Sequence, residues 1–382
     1  MSMVKNLLTL LFVFSIVMAN AQNGGDAVKK NESIKAYNEG VNKMKAKDYK
    51  GALASFTKAI SLRPGYKKAY FSRGMVEMSL KDCKKAIADF KKATELDPKY
   101  AKAFMYKGYC EMKIKNYNDA LADLSKAIEL DPKMTKAYIN RGTVYLNKKD
   151  FENAIPDFTK AIEAGGKHKL KALLSRGKAY QNLKKHDEAI ADFTAVINEK
   201  PEYGKALLFR GKSYLDKKDY DNAIADFSKQ LELDPDDTNA YYYLGFAQLA
   251  KKDYNAAIST FSKGLEKKPG SKRLLKKRAL AYFMNKDYKN AVSDYDKLIA
   301  KENKGKYYLN RGISKYLIKD YEGAIKDLDE AIKQKTKTGK AYYYKALAYQ
   351  KQNKPAEACK YAKESDKAGY KRAANLIKNV CK

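Results

Sequence analysis

The sequence predicts an all-α solenoid: about ten helix-turn-helix repeats stacked in line and closed by a capping helix. Three observations predict it. Small residues recur at Gly40, Gly74, Gly108, Gly142, Gly177, Gly211, Gly245, Ala279, Gly312 and Ala346, 34 residues apart but for one spacing of 35 and one of 33. An alanine follows each after twelve residues, from Ala52 to Ala358, and in nine cases a large apolar side chain comes four residues later. The chain of 382 residues is 45% hydrophobic, with eight prolines and no Pro- or Ser-rich linker to divide it. A fixed period of this length marks supersecondary units that bury their apolar faces only against neighbours.

In chain order, Lys5 precedes an apolar run from Leu7 to Met18 and then Ala19-Asn20-Ala21. This is the layout of a cleavable export signal over residues 1–21. Twelve apolar residues are too few to span a bilayer, which takes about 20. Cleavage after Ala21 leaves 361 residues (382 − 21) and no second long apolar stretch. The expected destination is the periplasm or the exterior, which lowers the expectation of nucleic-acid binding. Residues 22–32 are expected to be a flexible segment.

Ten repeats then run over residues 33–372, numbered here from Ser33, Lys67, Ala101 and so on. Positions 8 and 20 are small, so two antiparallel helices can approach there, and position 24 fills the space between them. Position 16 is Asp48, Asp82, Asn116, Asp150, Asp219, Asp253, Asp287 or Asp320 in eight repeats. Such side chains cap the free N–H groups of a second helix, worth about 1 kcal/mol each. Pro64, Pro98, Pro132, Pro201, Pro235 and Pro269 close six repeats. Pro355 sits where a helix begins and needs no N–H, and Pro156, deeper in its helix, predicts a slight kink. Residues 373–382 form the cap, with Leu376, Ile377 and Val380 inward. The Gly165-Gly166-Lys167-His168 loop, with an extra residue, is the most pliable joint and a candidate boundary between sub-arrays.

The period with small, small, aromatic and proline at these offsets resembles the tetratricopeptide repeat. That resemblance implies a right-handed α-α superhelix. The closing Ala358-Cys359…Lys367-Ala368-Gly369-Tyr370…Cys381 is similar to the end of exported bacterial envelope repeat proteins.

Most members of that family carry leucine at position 7, whereas this chain pairs a cation there with an aspartate at position 23. The pairs are Arg73/Asp89, Lys107/Asp123, Arg141/Asp157, Arg176/Asp192, Arg210/Asp226, Arg278/Asp294 and Arg311/Asp327. Both partners are missing in repeat 7 (Leu244, Thr260) and in repeat 1 (Glu39, Ser55), and only repeat 10 keeps Lys345 opposite Tyr361. Joint presence or absence predicts a ladder of partly buried structural ion pairs.

The resemblance further implies that first helices line a concave groove through positions 2, 5, 6, 9 and 12. Position 2 is then a cationic rail of Lys68, Lys102, Lys136, Lys171, Lys205, Arg273, Lys306 and Lys340. Positions 5, 6 and 9 supply Tyr37, Phe71, Tyr106, Tyr109, Phe209, Tyr242, Tyr243, Phe246, Tyr343 and Tyr344. Rail and rings suit another protein, an acidic peptide or an anionic glycan, while any one ring can instead pack on the neighbouring helix. The family's carboxylate clamp needs lysine at position 5, which occurs only at Lys276. Net charge is +33 (78 − 45); it fits acidic partners, and equally a lysine-rich solvated helix surface.

Catalytic machinery is not expected. His168 and His186 lack metal-ligand company, no nucleophile-elbow, Walker-type or zinc-protease motif occurs, and the carboxylates recur with the repeat. No cofactor or metal is implied. Two local disulfides, Cys359–Cys381 and Cys83–Cys110, are open alternatives to four buried thiols in an oxidising compartment. The function expected is a non-catalytic scaffold of the cell envelope, with binding of acidic envelope glycans as the alternative.

Overall fold

The structure is a computed structural model that describes residues 27–381. The expected export signal lies outside the described residues. Among the described residues every regular element is helical. The chain divides into two compact units, up to Asp192 and from Phe193 on. The division falls inside the helix His186–Glu199 rather than at the glycine pair. There Gly165 and Gly166 take φ of +66° and +65°, a 3-10 turn covers Gly166–His168, and the flanking helices still pack on each other.

In the first unit the helix pairs are 27–45 with Tyr49–Leu62, Lys67–Ser79 with Cys83–Leu96, Ala101–Lys113 with Tyr117–Leu130, and Thr135–Asn147 with Phe151–Glu163; Lys169–Asn182 opens the fifth. In the second, Gly204–Asp216 pairs with Tyr220–Leu233, Thr238–Ala250 with Tyr254–Lys267, Lys272–Met284 with Tyr288–Lys301, Gly305–Leu317 with Tyr321–Lys333, and Thr338–Lys351 with Pro355–Lys367. The short helix Ala373–Val380 closes the stack, burying Leu376 and Val380 against Ala346, Ala358 and Ala362. One expectation needs correction. Residues 27–32 are helical, because Lys29, Lys30 and Glu32 are good helix formers and no glycine or proline lies within residues 27–32.

Close approach explains the glycines at position 8. A Cβ at Gly142 would lie 3.0 Å from the Phe158 ring, and one at Gly245 only 2.5 Å from Phe261. Phe56, Phe90, Phe158, Phe193, Phe227 and Phe261 are wholly buried and form the spine of each unit's core. Asp48, Asp82, Asp150, Asp219, Asp253, Asp287 and Asp320 each accept a backbone N–H three residues on. Asn116 does not cap its helix; its amide donates to Asp119 instead.

The turn inside each repeat has a feature the sequence pattern did not announce. Position 15 is left-handed throughout: Lys47, Lys81, Lys115, Lys149, Lys184, Lys218, Lys252, Lys286, Lys319 and Asn353 have φ between 58° and 69°. In repeat 4, Lys149 N–H donates to Leu146 O (3.0 Å) and Asp150 N–H to Tyr145 O (2.9 Å). This pair of bonds satisfies the last carbonyls of the first helix and requires a left-handed residue between the helices, normally glycine. The aspartate that ends the first helix then caps the second.

Candidate partner-binding groove

Each cation–aspartate pair lies within one repeat. Arg73, Arg141, Arg176, Arg210, Arg278 and Arg311 each send Nε and Nη2 to the two carboxylate oxygens of Asp89, Asp157, Asp192, Asp226, Asp294 and Asp327, at 2.6–2.9 Å. Lys107 reaches Asp123 at 2.9 Å. The aspartates are buried, and burial raises the pKa of Asp157, Asp192 and Asp226 against the lowering pull of their arginines.

The sequence reading missed a third partner. Nη1 of each arginine reaches position 25 of the preceding repeat: Thr57, Ser125, Thr159, Thr194, Ser262 and Asp296. A guanidinium can do this because its donors form a rigid fork, which an ammonium lacks. Where position 25 is Lys91, position 7 of the next repeat is Lys107, and its aspartate neighbours a second buried acid, Glu111. Lys345 also turns to the preceding repeat, pairing with Asp329 at 2.5 Å while its ammonium sits 3.8 Å from the Tyr361 ring centre. In repeat 1, Lys43 at position 11 takes over, bonding Glu39 (2.6 Å) and Ser55 (3.2 Å).

On a helix, positions 2, 5, 6, 9 and 12 share one face. In the first unit this face opens two adjoining cavities of about 340 and 470 Å³. Lys102, Lys136 and Lys171 stand at their edges, Tyr106 and Tyr109 form walls, and Phe71 lies between groove and core. Met75, Met78, Met105 and Met134 also line them, together with Ile139, Asn140, His168 and Asp131. Cations and rings alone do not announce the methionines; their signal was methionine at positions 5, 9 and 12 of repeats 2 and 3. Flexible thioethers adapt to irregular partners.

The rings divide by position. Tyr106 stacks on Phe90 (6.0 Å), Phe209 on Phe193 (5.7 Å) and Tyr243 on Phe227 (5.6 Å), so position-6 rings rest on the core ring of the preceding repeat. Tyr242 and Phe246 lie parallel, 6.2 Å apart, with Arg273 and Lys277 over them. Tyr343 packs on Tyr344 and Tyr370, and Tyr344 on Tyr316, with Lys340 alongside. Tyr37 packs between Phe56 and Tyr66. Lys68, Lys205 and Lys306 are exposed.

Cys359 and Cys381 are joined as a disulfide. Cys83 and Cys110 are free thiols, a correction to the second expected bridge. Cys110 is fully buried beside Phe90 and Ala86, and burial, then the neighbouring Cys83 thiol, raises its pKa. A thiol held protonated lacks the thiolate that disulfide formation needs. Among the described residues no group of three His, Cys, Asp or Glu side chains is placed to hold a metal, and no helix is long and apolar enough to cross a membrane.

Comparison with known proteins now adds family and fold. Profiles of the tetratricopeptide repeat match residues 37–101, 101–134, 135–164, 174–238 and 214–281. The solved C-terminal part of a TPR repeat-containing protein from Cytophaga hutchinsonii is 20% identical, covering 63% of this chain and 98% of that one with a TM-score of 0.55. A tetratricopeptide repeat protein from Parabacteroides merdae is 19% identical, covering 65% of this chain and 99% of its own, TM-score 0.47. YrrB, described as a TPR protein with an unusual peptide-binding site, is 24% identical, covering 49% and 96%, TM-score 0.44. No curated protein matches. With its repeat matched across more than half its length and its helix pairs stacked in each unit, this chain belongs to the tetratricopeptide-repeat family.

Proposed function

We propose that this protein is a non-catalytic scaffold of the cell envelope that holds an acidic, apolar-flanked peptide segment of a partner protein on the first-helix face of repeats 2 to 5. Tetratricopeptide-repeat proteins mediate binding to other proteins or peptides, which supports the general role. The observation that carries the specific reading is the pair of cavities in the first unit, lined by Met75, Met78, Met105 and Tyr109 together with Lys102, Lys136 and Lys171. Exposed ammoniums steer an acidic segment, and the thioethers and rings take its apolar side chains. The export signal read from residues 1–21 supports the envelope as the place of action.

The test is crosslinking and affinity capture from the source cell's envelope fraction, using the full chain and its K102E/K136E variant. Capture of the same protein by wild type and its loss, at least tenfold, in the variant is the expected result. Recovery of an anionic glycan in place of protein would transfer the function to polyanion binding. Equal capture by both proteins would refute the groove.

A further inference from the structure

The second unit carries a charge cluster that neither the ion-pair ladder nor the first-unit groove uses. Arg273, Lys276 and Lys277 lie on one face of the helix Lys272–Met284, and Lys306 is the second residue of Gly305–Leu317. Among the described residues none of the four forms an ion pair. The nearby acid, Glu302, is already taken by Lys272 at 3.1 Å and Lys304 at 2.7 Å.

Two of these cations are held in place by rings. The Arg273 guanidinium lies 3.3 Å above the Tyr242 ring centre and also reaches Asn239 (3.5 Å), while the Lys277 ammonium sits 4.1 Å from the Phe246 centre. Cation–π contact fixes the heads without neutralising them. The cluster is also crowded. Burial, then Lys276 and Arg273, lower the pKa of Lys277; slight desolvation, then Lys276 and Lys304, lower that of the largely exposed Lys306. Both helices have their N-terminal, positive ends here and no acid in the first turn, so the dipoles add to the repulsion.

We propose that Arg273, Lys276, Lys277 and Lys306 form a binding site for a phosphoryl group. One carboxylate would answer one charge of four. A tetrahedral dianion offers three oxygens to a guanidinium fork and to converging ammoniums at once, and two helix N-termini favour the same ligand. The rings are covered by the cations, so charge and shape, not stacking, select it. The site extends the binding role proposed above to other repeats, and rests on that role only for its biological use.

Thermal unfolding of the full chain with inorganic pyrophosphate as probe, ionic strength held constant with sodium chloride, tests it. Wild type should show a saturable rise in Tm. K276Q/K306Q should unfold at a higher temperature without probe, since repulsion is relieved, yet bind the probe at least tenfold more weakly. K50Q/K58Q, two exposed lysines of the first unit outside its groove, should stay within twofold of wild type. Equal losses in the two double variants, no saturation, or an equal response to acetate would mean diffuse attraction and overturn the site. O-phosphoserine and glucose 1-phosphate, compared as ligands, separate a protein-borne from a sugar-borne phosphoryl group, and saturable binding of either supports it. Capture in the first unit can fail while pyrophosphate binding persists, so the two readings fall separately.

Discussion

Replacing Arg141 by leucine isolates what the charge ladder contributes. Asp157 is 3% exposed and receives both arms of the Arg141 guanidinium, at 2.9 and 2.7 Å, while Nη1 reaches Ser125 of the preceding repeat at 3.0 Å. R141L leaves that carboxylate buried with its charge unanswered, a loss of about 3–5 kcal/mol. The chain itself supplies the apolar alternative. Repeat 7 has Leu244 and Thr260, both buried, with the threonine hydroxyl donating to Gln248. R141L/D157T copies that solution, removes the stranded charge, and should cost no more than about 1–2 kcal/mol, mostly the lost Ser125 bond. The coupling between the two sites is therefore expected to exceed about 2 kcal/mol. Urea unfolding followed by helical circular dichroism gives the overall ranking. Hydrogen exchange in Thr135–Asn147 and Phe151–Glu163 gives the local effect, since a repeat array need not unfold in one step. Additive single and double costs, within about 0.5 kcal/mol, would refute the argument.

Further outcomes follow from other residues. Burial, then Asp123, raises the pKa of Glu111 from 4.5 to about 8; the folded chain thus binds this proton more tightly than the unfolded one. Its contribution is fully present below pH about 4.5 and is lost as pH rises through about 8, so a stability decline across that window should flatten in E111Q. Lys149 holds φ of 62°. K149G should stabilise by about 0.5 kcal/mol, the relief of left-handed strain less the entropy of glycine, and K149V should destabilise, both read as shifts in Tm. Alkylation in denaturant should modify Cys83 and Cys110 alone before reduction and all four cysteines after it. C359S/C381S should loosen the closing helix by about 3 kcal/mol, measured by exchange in Ala373–Val380.

The repeat and its helix pairs were legible because spacing records them: glycine against ring, aspartate at the cap and proline at the exit are each forced by local sterics or hydrogen bonding. The 7/23 pairs were legible because both partners sit in one repeat. Their third contact was not, because serine, threonine and aspartate share position 25 and only geometry shows that all accept from the same fork. The left-handed lysines were hidden for another reason: lysine has no propensity for that conformation, and the two carbonyls at the helix end impose it. The groove was read in its cations and rings but not in its thioethers. Arg273 and Lys306 stood on the rail, whereas their nearness to Lys276 and Lys277 joins the first helices of two neighbouring repeats, with Tyr288–Lys301 between them in the chain.

The third arm of the arginine fork bears on how such an array can grow. A repeat with arginine at position 7, aspartate at 23 and a hydroxyl or acid at 25 brings its own pair, offers an acceptor to its successor and donates to its predecessor. Any copy of it can follow any other and close the same contacts, so a duplicated segment would join the stack already fitted on both sides. Lys91 and Leu244 mark the junctions where that interchangeability has lapsed; an insertion or exchange of repeats there would need compensating changes in its neighbours.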